Sequence, residues 1–235
     1  MKYITLLVFF GFSFPARGKD VPTLRDLFLS LPDSVFIKDN RCFHQKDSFP
    51  VVERKQLLAG FDSGNVENKG DGPRFPMFGL SDSSGILEFG TGDETTVLSI
   101  LSRDKKETFF LVASSDCDFI ACFQSFHFYS LKKKKISEVN NVLPALYPAK
   151  LFFDTAYLAQ QKFDPDQGLD GIEIVFTGDP HLLVASLNTD FFDPELFGYE
   201  NAMTQLDASK IKWYSYRLDF DPVKRKFVVG VCADE

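Results

Sequence analysis

Two runs of short apolar segments, joined by brief polar turns, constrain this chain more than any other feature. The first run comprises residues 85–90, 96–103, 107–115 and 124–131; the second comprises 171–177, 181–188, 212–220 and 226–232. Thr91-Gly92-Asp93-Glu94, Asp104-Lys105-Lys106 and the Cys117 to Cys122 segment are too short for a crossover, so the strands they join must run antiparallel. Gly178-Asp179-Pro180 and Asp221-Pro222-Val223-Lys224-Arg225 are turn sequences, because Pro fixes φ and Asp accepts from the backbone beyond it. Leu111-Val112-Ala113-Ser114 in the first run is echoed by Leu183-Val184-Ala185-Ser186 in the second. That echo suggests two four-stranded halves, at 85–135 and 169–235.

Ahead of the strands the period changes. Leu24, Leu27, Phe28 and Leu31 fall at i, i+3, i+4 and i+7, which is one face of a helix. Thr23 can cap that helix and Pro32 ends it. A second short helix is predicted around Val52, Gln56, Leu57 and Ala59, ending near Gly60. Residues 38–50 and 65–84 read as loops. Residues 136–161, broken by Pro144 and Pro148, read as helix or irregular packing. The expected fold class is therefore α+β: short N-terminal helices packed on a largely antiparallel β-meander. Phe is abundant, at 27 residues, with pairs at 109–110, 152–153 and 191–192. Adjacent residues on a strand face opposite ways, so such pairs suit strands covered on both faces.

The first eighteen residues have a different character. Met1-Lys2 is followed by a nearly unbroken apolar stretch from Tyr3 to Phe14, and Ala16-Arg17-Gly18 places small residues where a signal peptidase reads. The expectation is a signal peptide at 1–18 and a single exported domain at 19–235, periplasmic or secreted. Losing Lys2 and Arg17 leaves 24 basic against 33 acidic residues, a net charge of −9. That balance argues against general affinity for nucleic acid or anionic lipid. No later apolar stretch reaches the roughly 20 residues a membrane helix needs, so no transmembrane segment is expected after signal removal.

Four cysteines remain: Cys42, Cys117, Cys122 and Cys232. Three disulfide connectivities are possible. A hairpin with a four-residue loop sets Cys117 opposite Cys122, at a separation a disulfide accepts; Cys42 with Cys232 follows by elimination. The densest carboxylate cluster holds Asp164, Asp166, Asp170 and Glu173. Alternating oxygens in a Gly-containing loop suit calcium, but the spacing departs from an EF-hand: position five is Gly168 and position twelve is Val175. A solvated acidic turn is the simpler reading. His127, set among Phe126, Phe128 and Tyr129, reads as a half-buried strand residue rather than a base. Lys132-Lys133-Lys134-Lys135 reads as a solvated turn that discourages edge pairing. None of the familiar hydrolase, zinc or phosphate-loop signatures is present.

Thr23-Leu24-Arg25-Asp26-Leu27-Phe28, then Leu31-Pro32-Asp33-Ser34, and later a strand ending in Phe128-Tyr129, resemble an uncharacterised family of exported Bacteroidetes proteins. The resemblance implies export and a β-rich fold, and no activity. With no convergent polar constellation, the chain reads as an exported, soluble, non-catalytic binding or interaction protein of the cell envelope, its partner an unknown envelope or extracellular one. The alternatives are an exported carboxylate-dependent hydrolase centred on the acidic loop, and a calcium-stabilised structural protein.

Overall fold

The structure, a computed structural model, describes residues 22–38, 48–62, 77–81, 83–91, 94–117, 122–193, 195 and 202–232. The expected signal segment and Cys42 lie outside the described residues. Four α-helices are described: α1 (Leu24–Ser30), α2 (Ser34–Ile37), α3 (Val51–Asp62) and α4 (Thr155–Gln160). Six strands form one antiparallel meander in chain order: β1 (Met77–Ser81), β2 (Ile86–Thr91), β3 (Glu94–Arg103), β4 (Glu107–Cys117), β5 (Cys122–Lys132) and β6 (Lys135–Glu138). Four more, β7 (Ile172–Phe176), β8 (Leu182–Leu187), β9 (Ser215–Asp221) and β10 (Lys226–Cys232), form a second antiparallel meander. The protein is thus mixed α and β, with strands dominant.

The alternation of side chains along β4 sets the layers. Phe110 and Val112 face a core shared with Leu24, Leu27 and Phe28 of α1, Val35 and Phe36 of α2, and Leu57 and Leu58 of α3. Phe109, Leu111 and Ala113 face the opposite way, against Leu183, Ala185, Leu218, Phe220 and Phe227 of the second sheet. The Phe109-Phe110 pair therefore anchors two cores at once, both rings fully buried. Each such ring stabilises the fold by roughly 1.5–3 kcal/mol through burial alone. The echoed segments meet here, since Leu111 and Ala113 share one core with Leu183 and Ala185. A third cluster, around Phe152, Phe153, Leu158, Phe192 and Met203, closes against Leu187.

Local chemistry fixes the ends. Thr23 and Asp26 form a capping box on α1: the Asp26 backbone N–H donates to the Thr23 hydroxyl, and the Thr23 backbone N–H donates to the Asp26 carboxylate. The β3–β4 register shifts between Ile100 and Ser102, leaving Leu101 as the extra residue of a bulge. Its carbonyl accepts from His181 Nε2 at 2.6 Å and ties the first sheet to the second.

All eight expected strands and both expected helices are found, with ends shifted by a few residues. The first sheet has six strands rather than four, because β1 and β6 add to its two edges. The Phe152-Phe153 and Phe191-Phe192 pairs lie in irregular and 3-10 segments rather than in named strands, where tight turns put both rings near one cluster. Among the described residues no helix is long and apolar enough to cross a membrane.

Candidate functional site

A cleft of about 440 Å3 opens where α2 passes the β6 edge of the first sheet. Its lining is Pro32, Ser34, Val35, Ile37 and Lys38 from the α2 segment, and Tyr129, Ile136 and Glu138 from β5 and β6. The β5–β6 hairpin places these groups by register, with Leu131 opposite Ile136 and Tyr129 opposite Glu138. The turn between them has Lys133 and Lys134 both at positive φ, +47° and +67°. That conformation suits the twist of a two-residue hairpin.

The polar rim is a relay of three side chains. Lys38 Nζ donates to both Glu138 oxygens at 2.7 Å, and His127 Nδ1 lies 3.1 Å from Glu138 Oε1. Lys38, and after it His127, hold the Glu138 carboxyl below its ordinary range, so it is ionised at neutral pH. An ionised carboxylate only accepts, so His127 Nδ1 carries the proton in this contact. His127 Nε2 is shut off from solvent. Lys38 and Glu138 remain 42% and 34% exposed, which leaves their pair accessible to a ligand.

The wall formed by Pro32, Ser34 and Val35 is held from behind by Arg54. Its side chain, on α3, is 1% exposed. One terminal nitrogen donates to the Phe28 and Leu31 carbonyls, at 2.6 and 2.7 Å, and the other to Asp33 Oδ1 at 2.9 Å. The first two contacts satisfy carbonyls at the end of α1 that have no partner within the helix. Phe28, Phe36 and Phe49 surround the guanidinium, with ring centroids 5.2–6.0 Å away. Burial lowers the Arg54 pKa and Asp33 opposes that shift. The junction of α1 and α2 is therefore fixed by one buried cation.

The acidic loop is arranged differently. Asp164 Oδ1 accepts the Asp166 backbone N–H at 2.9 Å, and Asp166 itself pairs with Lys150. Glu173, on β7, accepts from Asn188 Nδ2 at 2.8 Å, and Asp170 is exposed just before that strand. Among the described residues no three His, Cys, Asp or Glu side chains come together as a group able to hold a metal ion. The backbone register sets Cys117 opposite Cys122 at the end of the β4–β5 hairpin. Cys232 ends β10 opposite Tyr216. The side chains of these three cysteines lie outside the described residues.

Comparison of the chain with protein-family models, with curated proteins and with solved structures finds no match.

The relay was only partly visible in the sequence. Lys38 reads there as the start of a polar loop, and Glu138 as part of an irregular segment. Their contact joins residues 100 apart. One signal was available: Ile136 follows the lysine turn as Leu131 precedes it, at the spacing a hairpin would pair.

Proposed function

We propose that this chain is an exported, non-catalytic binding protein whose cleft beside α2 takes a small amphipathic carboxylate. The observation that carries the reading is the chemistry of the cleft. Ile37 and Ile136, both half-buried, offer apolar surface above the buried Val35, and the charged groups stand together at the rim. The volume is in the range of small-molecule sites. The two Glu138 oxygens are engaged by Lys38 and His127, whereas an ammonium has three donors and Lys38 gives two of them to Glu138. Among the described residues the rim thus has a donor to spare, and a carboxylate head group is its complement. Catalysis is not favoured, because a general base must reach the proton it removes, and His127 Nε2 is closed to solvent. The apolar stretch from Tyr3 to Phe14 and the small residues after it support export.

The test is calorimetric titration with octanoate and, separately, octylamine. Octanoate should bind at about 0.1–1 mM, as expected for a ligand of its size, and octylamine should not. Lys38→Met should weaken octanoate at least about tenfold, the loss of one charge-assisted hydrogen bond. Equal binding of the two head groups would sink the proposal. Export has its own test: N-terminal sequencing of the protein from the culture or periplasm should begin at Lys19, and a chain retaining Met1 would contradict it.

A further inference from the structure

Nine of the 26 basic residues of this acidic chain are gathered at one end. Three turns meet there: 104–106 between β3 and β4, 133–134 between β5 and β6, and 222–225 between β9 and β10. They converge on Glu107. Arg225 donates to both Glu107 oxygens at 2.6 and 2.7 Å, and Lys132 Nζ lies 3.2 Å from Oε2. With their flanking residues, apart from Arg103, whose side chain turns to the Pro22 carbonyl, the turns carry Lys105, Lys106, the four lysines 132–135, Lys224, Arg225 and Lys226 against Asp104, Glu107 and Asp221. Nine cations less three carboxylates leave +6, so the remainder of a chain of net charge −7 carries −13. All eight lysines of this end are exposed. Turn chemistry does not account for them. Asn-Gly is the ordinary solution where both hairpin residues are left-handed, yet Lys133 and Lys134 occupy those positions.

The tip of the β9–β10 turn adds an apolar group. Val223 is 91% exposed, between Pro222 and Lys224. Asp221 Oδ1 accepts the backbone N–H groups of Val223 and Lys224, at 2.9 and 3.0 Å, so the tip is held in shape. The three turns contain no aromatic side chain, which sequence-independent binding of single-stranded nucleic acid would use for stacking.

We propose that this end docks on an anionic lipid bilayer, with the lysines over the head groups and Val223 entering the interface. The net charge of the whole chain hides such a contact, because screening limits each charge to roughly 8–10 Å at ordinary salt and only the local +6 meets the surface. Lysines near an anionic leaflet contribute about 1 kcal/mol each.

The test is sedimentation of the full chain with vesicles of phosphatidylcholine alone, or with about one third phosphatidylglycerol, at low and high salt. The anionic vesicles should bind more protein, and raising salt should remove the excess. The pair Lys133→Gln with Lys134→Gln should weaken that excess binding about thirtyfold, and Val223→Ser about fivefold. Both variants should melt like the parent, since these side chains are exposed. Equal binding to the two vesicle types overturns the proposal, as does either variant binding like the parent. Retention on heparin or duplex DNA with no excess on anionic vesicles also overturns it, in favour of a polyelectrolyte partner.

Discussion

Acid should unfold this protein through Glu107, and the size of the effect can be worked from its contacts. The carboxylate is 7% exposed and receives Arg225 on both oxygens, Ser130 on one and Lys132 at its edge. Arg225 makes the largest contribution to lowering its pKa, from 4.5 to about 2, against the opposing effect of burial. A group whose pKa is depressed by folding stabilises the native state above its unfolded value. That stabilisation is lost as pH falls through the folded value. The window here runs from about 4.5 down to about 2. The full shift corresponds to a ceiling of about 3 kcal/mol. Arg225 and Lys132 are 39% and 60% exposed, so water screens the pair and about 2 kcal/mol is the expected yield. The assay is urea unfolding from pH 7 to pH 2, read by the single tryptophan, Trp213. Glu107→Gln should be about 2 kcal/mol less stable than the parent at pH 7 and within about 0.5 kcal/mol of it at pH 2. Two stability curves that stay parallel across this range would refute the reasoning.

Arg54→Leu should cost about 3–5 kcal/mol, because it leaves the Phe28 and Leu31 carbonyls buried without a donor; in a chain of this size that lowers Tm by roughly 10 °C. A melt within about 2 °C of the parent would show that the cation does not hold the α1–α2 junction. Gly171 sits at φ +72°, and an added Cβ would come within 2.5 Å of the Phe191 ring, whereas Gly178 at φ +84° has open space around it. Alanine should therefore cost about 1 kcal/mol at Gly178 and about 2 kcal/mol or more at Gly171, measured by the same unfolding assay. Equal costs would mean that the ring yields freely.

The eight expected strands and two expected helices were legible because each rests on a local rule; β1, in a stretch read as a loop, and α2 were not. Period-2 apolar runs between short turns give the meanders, and Thr23 as a cap with Pro32 as a stop bounds α1. What escaped the sequence was long-range. β6 is only four residues long, and Lys135, Ser137 and Glu138 on it are exposed, so it has too little apolar patterning to announce itself. Arg54 reads as an ordinary charged position on a short helix, and only the fold surrounds it with Phe28, Phe36 and Phe49. The acidic loop keeps to the simpler of its sequence readings, a solvated turn. Carboxylates close in sequence turn to Lys150, to the backbone and to Asn188, and do not converge. Net charge, a sum over the chain, carried no trace of the basic end that three separate turns assemble around Glu107.

The cleft beside α2 is best tested by following backbone amide resonances of the labelled protein during titration with octanoate. The account predicts saturable shifts at Val35, Ile37, Lys38, Ile136 and Glu138, with a midpoint moved at least about tenfold higher in Lys38→Met. Shifts confined to the outer face of the second sheet, around Val175 and Val228, or no saturable shift by about 10 mM, would contradict it.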